Sequence, residues 1–258
     1  MTRERTYQIE AIVLRRRNWG EADRILTLFT PHRGKIRVRA VGVRKPRSRK
    51  AGHLELYHRS SLFLARGRDM DIVTQAETVE SFRLLRDDLV RSAAAAYLAE
   101  LLDRLAPEEV ENPAAYRLLK AALKAVCRTD NPPLVLRCYE MKLLETMGYR
   151  PELTHCTAGR EEIRPEDQFI SPARGGAVCP RCAAGEDGLL AVSLASLRVL
   201  RHLQRTPFAD CVQLRVHGET LEELRVILNR YIQYIVESPL RSRGYFEEVS
   251  RPRQAGGV

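Results

Sequence analysis

Apolar and polar residues alternate from Tyr7 to Arg17, with Ile9, Ala11 and Val13 on one side, and this period of two predicts a strand. Asn18-Trp19-Gly20 reads as a turn, and Arg24–Thr30 (RILTLFT) as a second strand. Pro31-His32-Arg33-Gly34 turns the chain again, into a segment where Ile36, Val38 and Ala40 alternate with Lys35, Arg37 and Arg39. Leu54–Ala65 and Ile72–Val79 supply two more strands, separated by a turn at Gly67–Asp71. Five short strands followed by helix fit a small closed barrel of the oligonucleotide-binding (OB) type better than a sandwich. Periodicity alone does not separate that barrel from an SH3-like one.

From Ser81 the period becomes helical. Ala94, Tyr97, Leu98, Leu101, Leu102 and Leu105 form one apolar stripe, which Pro107 ends. Asn112-Pro113 predicts an N-cap followed by proline at the first helical position, opening a stripe of Tyr116, Leu119, Leu123 and Val126. A third helix runs from Pro132 to Met147, with Gly148 as its C-terminal cap. Ser193–Arg205 is helical, and Thr220-Leu-Glu-Glu223 reads as a capping box opening a last helix through Leu224, Ile227, Leu228, Tyr231 and Ile235. The expected fold class is α+β. A barrel domain (1–80) precedes a helical domain (81–148 and 190–249) that carries an insertion (149–189), and the tail 250–258 is expected to be disordered.

Charge changes this picture. Residues 1–50 hold fifteen Lys+Arg against four Asp+Glu, a net +11, whereas the whole chain carries +10, so residues 51–258 sum to about −1. The excess is local, as at a binding site for a polyanion. It concentrates in Arg33–Lys50, which has no acidic residue: a strand with Lys35, Arg37 and Arg39 on its outer face, then a mobile loop carrying Arg44, Lys45, Arg47 and Arg49. That stretch contains no Phe, Tyr or Trp, and the flanking Trp19, Phe29, Tyr57 and Phe63 fit a barrel core or a turn. Stacking on bases is therefore not expected, and phosphate contact is, on single strands and duplex alike.

The insertion contains Cys156, Cys179 and Cys182. Cys179-Pro-Arg-Cys182 is a C-x-x-C knuckle, preceded by Gly175-Gly176 to let the chain turn tightly. Structural zinc takes four ligands, usually from two such pairs. Here the partner pair reads Cys156-Thr-Ala-Gly159, so the fourth ligand is open, and His155 is the nearest alternative. Cys127, Cys138 and Cys211 lie in apolar surroundings and read as small buried hydrophobes. No Walker A, H-E-x-x-H, G-x-S-x-G or Gly-rich dinucleotide loop occurs, and nothing argues for an enzyme. No apolar run approaches a membrane span and no signal-peptide core opens the chain, so the expectation is a soluble cytoplasmic protein with no membrane association.

Gly20-Glu-Ala-Asp-Arg-Ile-Leu-Thr-Leu-Phe-Thr30, Gly34-Lys-Ile, Ala40-Val-Gly-Val-Arg-Lys45 and Ser48-Arg49, together with the Gly175-Gly176…Cys179-x-x-Cys182 knuckle, resemble the RecO recombination mediator family. The likeness extends over nearly the whole chain. It implies a non-enzymatic bacterial DNA-repair factor, associated with the nucleoid during repair. Such proteins bind single- and double-stranded DNA, anneal complementary strands, pair with RecR, engage single-strand-binding protein and help load RecA. It implies structural zinc as well, although Gly159 stands where many members have a fourth cysteine. From charge alone, an RNA- or ribosome-binding OB protein is a rival, which DNA and RNA competitors would separate. A zinc-dependent nucleic-acid enzyme is another, decided by turnover of labelled DNA.

Overall fold

The computed structural model describes residues 5–250, which form two compact units dividing between Cys127 and Arg128. The first begins with β1 (Thr6–Trp19), β2 (Asp23–Thr30), β3 (Gly34–Ala40), β4 (Arg59–Ala65) and β5 (Asp71–Glu80). They close in the order β1-β2-β3-β5-β4, with β1 pairing both β2 and β4, and β3 running parallel to β5. This is the five-stranded OB-type barrel that the alternation predicts. The interior is filled by Ala11, Val13, Leu26, Leu28, Ile36, Val38, Leu62, Leu64 and Val73.

The fourth strand is shorter than its sequence suggests. Ala51–Leu54 is a turn of 3-10 helix, and Tyr57 takes a left-handed φ of 66°, so pairing begins only at Arg59. Two long helices complete this unit after the single turn α1 (Leu84–Asp87): α2 (Leu89–Leu105) and α3 (Pro113–Arg128). Asp88 caps α2 by accepting from Arg91 N–H at 2.8 Å. Asn112 caps α3 by accepting from Ala115 N–H at 2.9 Å, as its Asn-Pro signature indicates.

The second unit opens with α4 (Pro132–Thr146), after which Gly148 turns the chain at φ 83°. Its insertion holds a small antiparallel sheet of β6 (Gln168–Ser171), β7 (Gly176–Val178) and β8 (Leu190–Val192), in the order β7-β6-β8. The knuckle turn α5 (Pro180–Ala183) follows β7. The remaining helices are α6 (Leu194–Arg205), the turn α7 (Phe208–Cys211), α8 (Gly218–Val236) and α9 (Arg241–Ser250). Ser250 thus belongs to a helix rather than to the expected tail, and 251–258 lie outside the described residues.

The predicted capping box is not formed, because α8 begins at Gly218 and Thr220 lies inside it. Glu223 instead serves the neighbouring helix. Its carboxylate accepts from Ser193 N–H (2.6 Å), Ser193 Oγ (2.7 Å) and Ser196 Oγ (2.7 Å), while Ser193 caps α6 by accepting from Ser196 N–H at 3.1 Å. Among the described residues, no helix is long and apolar enough to cross a membrane.

Candidate nucleic-acid interface and metal centre

Residues directly opposite each other in an antiparallel pair share a face. The register places Arg15 opposite Thr27 and Thr27 opposite Arg37; likewise Arg17, Ile25 and Arg39 share the next row, and Trp19 faces Asp23. The outer face of β1-β2-β3 therefore carries Arg15, Arg17, Arg37 and Arg39 around Ile25 and Thr27, with Trp19 at its edge. The same face continues to Phe29 and Lys35, but there helices cover it. Phe29 stacks on Tyr116 of α3 with ring centroids 6.5 Å apart.

Lys35 is buried rather than open to solvent. Its Nζ donates to the Asp103 carbonyl at 2.5 Å and lies 3.3 Å from the Asp103 carboxylate. Lys35 does not share the solvent face of Arg37 and Arg39. Alternation assigned the side of the sheet correctly, but α2 packs over that end of it.

Arg37 and Arg39 are exposed, and each meets one carboxylate: Arg37 that of Glu108, and Arg39 that of Asp23 at 2.7 Å. Arg15 lies 4.0 Å from Asp103. Asp23 also accepts from the Gly42 N–H at 2.7 Å, and this bond, with the Arg39 guanidinium second, holds its carboxyl below the usual range.

The basic loop is more fixed than its composition suggests. Val43 is buried in the barrel core, Arg44 N–H donates to the Ala22 carbonyl at 2.9 Å, and Lys50 Nζ donates to the Val73 carbonyl at 2.8 Å. Between these anchors Arg44, Lys45, Arg47 and Arg49 are all exposed. Lys45 adds its charge to those that favour the ionised Asp23 carboxylate. Asp23 and Ala22 thus join the loop to the β1–β2 turn, and sheet face and loop form one cationic region.

Two aromatics depart from their expected places. Trp19, the last residue of β1, is 45% exposed, and the Arg17 guanidinium lies 5.9 Å from its ring centroid. Phe63 is exposed on β4, opposite Gln8 and Gln75. Strand alternation carried a signal for Trp19, since it falls in step with Arg15 and Arg17; the turn residues beside it hid that.

In the second unit the Cys156, Cys179 and Cys182 sulphurs all lie within 4.8 Å of one another. The strand pairing creates this convergence. Glu152 and Gly176 bridge, with Ala177 N–H donating to the Glu152 carbonyl at 2.7 Å, which places Cys156 beside the end of β7. A Cβ at Gly176 would meet the Glu152 carbonyl oxygen at 2.2 Å, so only glycine permits this approach. Burial disfavours the Cys156 thiolate, but N–H groups of Cys179, Gly159 and Ala158 outweigh it and bring its pKa to about 7. Cys182 is pushed up to about 11, first by its hydrogen bonds to Cys179 and Cys156.

The three thiols suit a thiophilic ion and supply three corners of a tetrahedron. Gly159 occupies the fourth side: a Cβ there would stand 2.9 Å from Cys182 Sγ and 3.9 Å from Cys156 Sγ. His155 does not converge with the three thiols. It is exposed, contacts Thr154 Oγ1 at 3.2 Å and Glu152 at 3.9 Å, and stands outside the thiol cluster. Its neighbour Cys156 turns inward, and adjacent residues on this extended stretch point apart. Cys127, Cys138 and Cys211 are buried, as expected, and Cys211 Sγ donates to the Thr206 carbonyl at 3.2 Å.

Together these features define a class: an OB barrel with a guanidinium-covered sheet face, coupled in sequence to a helical unit bearing a thiol knuckle. Residues 1–82 match the family described as Recombination protein O N terminal, and residues 86–244 match Recombination protein O C terminal. The DNA repair protein RecO of Roseiflexus sp. (strain RS-1) is 42% identical over 247 residues, covering 96% of this chain and 87% of its own. Those of Dehalococcoides mccartyi (strain ATCC BAA-2266 / KCTC 15142 / 195) and Symbiobacterium thermophilum are each 36% identical, covering 97% and 96% of this chain and 99% of their own. This chain belongs to the recombination protein O (RecO) family.

Proposed function

We propose that this protein is a recombinational DNA-repair factor that binds single- and double-stranded DNA through phosphate contacts and anneals complementary strands, without itself being an enzyme. The observation that carries this reading is the continuity of the cationic region. Arg15, Arg17, Arg37 and Arg39 share one sheet face, and Asp23 and Ala22 hold the loop bearing Arg44, Lys45, Arg47 and Arg49 beside it. Regularly spaced guanidinium groups match a phosphate backbone without selecting a base sequence. Neutralising two strands at one surface lowers their mutual repulsion and leaves their bases free to pair. Lys35 has a different part: it fixes β3 against α2 and thereby sets the plane on which Arg37 and Arg39 stand.

Membership of the family supports a role in the cytoplasm alongside RecR and single-strand-binding protein, assisting RecA to load on coated single strands. Zinc is the ion we assign to Cys156, Cys179 and Cys182, as a structural element of the second unit. The decisive experiment is annealing of two complementary labelled oligonucleotides at several salt concentrations. The expected result is acceleration by the wild type, lost when Arg15, Arg17 and Arg37 are replaced together by alanine with the melting temperature unchanged. Acceleration undiminished by that triple replacement overturns the assignment of this face.

A further inference from the structure

We infer that Trp19 is a base-stacking platform, one that engages an unpaired base of single-stranded DNA and is idle on duplex. The inference rests on the DNA-binding reading and adds a contact that phosphate binding alone does not contain. An indole left 45% exposed at a strand end offers a broad, flat apolar surface to a ligand, and it is its setting rather than its exposure that singles it out. Its surroundings specify the chemistry of that ligand. Trp19 shares its sheet face with Arg15, Arg17 and, across β2, Arg39; the acid directly opposite it, Asp23, is taken up by Arg39 and the Gly42 N–H, so a ligand covering the ring meets a face on which cations outnumber acids.

Among the described residues Arg17 makes no ion pair; its guanidinium lies over one indole face at 5.9 Å. That contact leaves the other face for a flat ring and keeps a cation within reach of the adjoining phosphate. A flat, uncharged ring joined to an anion is a nucleotide. Single-strand binders combine these two elements, a basic track and an aromatic on which bases stack. In duplex DNA the faces of the bases are already stacked on each other, so only an unpaired strand can offer one.

The experiment exploits composition, because Trp19 is the one tryptophan of the chain and its emission reports a single site. The full-length protein is titrated with oligodeoxythymidylate of about 16 nucleotides, the upper site size of an OB fold, and with a hairpin-closed duplex of equal length. Binding is followed in parallel by anisotropy of a label on the DNA. Single strands are expected to quench the indole, whereas bound duplex leaves its emission unchanged. Trp19→Ala should weaken single-strand binding about tenfold and duplex binding hardly at all. Its salt slope should be unaltered, since no phosphate contact is lost. Trp19→Phe should restore most of the affinity, which loss of fold would not allow.

Equal quenching by bound duplex overturns the inference, because the indole would then report nearby phosphate and not stacking. Binding seen by anisotropy with neither quenching nor an effect of Trp19→Ala also overturns it, while leaving the DNA-binding reading intact. No anisotropy change with either probe removes that reading itself, and the stacking role with it.

Discussion

Replacing Lys35 by methionine separates a supporting role from a contact role on the same strand. Methionine retains the apolar stem and removes the ammonium that bridges to Asp103. At 3.3 Å and an effective dielectric of about 20, the gross attraction is about 5 kcal/mol, most of it offset by the desolvation of both groups. Deleting one partner of a well-buried pair costs about 3–5 kcal/mol. Asp103 keeps 18% of its side chain exposed and has Arg15 at 4.0 Å, so a loss of about 2–3 kcal/mol is expected, at or just below the bottom of that scale.

For a unit of this size that loss lowers the melting temperature by about 10 °C. Below the transition, DNA affinity and salt slope should match wild type. Arg37→Ala should behave in the opposite way. Arg37 and Glu108 are 54% and 49% exposed, and such pairs contribute about 0–1 kcal/mol, so the melting temperature should barely move. The log–log salt slope should become shallower by about 0.7 on single strands and about 0.9 on duplex. Thermal denaturation and anisotropy at several salt concentrations read both quantities. A Lys35→Met protein that melts like wild type but loses a slope increment would refute this division of labour and restore Lys35 to the contact surface.

Four further outcomes are expected. Asp23→Asn keeps an oxygen for the Gly42 N–H but spares Arg39 the exchange of a carboxylate for a phosphate, so DNA affinity should rise by a few fold with the salt slope little changed, the number of phosphate contacts being the same; unchanged binding in the same titration counts against Arg39 as a contact. Glu223→Ala removes three hydrogen bonds from the start of α6 and should cost about 2–4 kcal/mol in a denaturant titration, whereas Thr220→Ala should stay within about 0.5 kcal/mol. Glu152 is held down from 4.5 to about 2, chiefly by the Thr154 hydroxyl against burial, with the Thr154 and His155 N–H groups adding to it. A depressed carboxyl stabilises fully above its unfolded value and loses that contribution as pH falls from about 4.5 to 2, so wild type should lose its melting advantage over Glu152→Gln across that window. Gly159→Cys should complete a four-sulphur site once Cys182 rotates away. Taking a fourth thiolate as roughly a quarter of a structural zinc site's ~10–16 kcal/mol, it should strengthen zinc binding by about 2–4 kcal/mol against a chelator.

The barrel was legible because alternation acts locally: Ile36 and Val38 must face inward whatever covers the opposite side. What covers that side is a tertiary matter, and there the strand pattern is silent. Lys35 reads like Arg37 and Arg39 in sequence, yet only Lys35 stands under α2. The same limit explains Glu223, whose spacing from Thr220 fits a capping box while its carboxylate is taken by two serines thirty and twenty-seven positions away. Strands β6, β7 and β8 have three or four residues, too few to show a period of two. The knuckle was legible from its spacing, and so was the missing ligand at Gly159. That His155 turns outward follows from the path of the chain past Glu152, which no spacing encodes.

The half-covered sheet face also accounts for how the arginines are held ready. Three of them each lean on one carboxylate at the edge of the open area: Arg15 on Asp103, Arg37 on Glu108 and Arg39 on Asp23. All three arginines are solvent-accessible, and the Arg37–Glu108 pair, exposed on both sides, contributes little stability, so there a phosphate can take the place of the carboxylate at small cost. While the pairs last, they keep long side chains upright and apart, which reduces the entropy lost when a strand binds. Arg17 lacks such a partner among the described residues and rests on Trp19 instead, a contact that a base can share and need not break. On the proposed interface a single strand therefore meets Arg17 and Trp19 without first displacing a carboxylate. The paired arginines follow, each exchanging an internal anion for one on the DNA. A duplex meets the same arginines and loop but offers no free base, so its binding should depend more steeply on salt than that of a single strand of equal affinity.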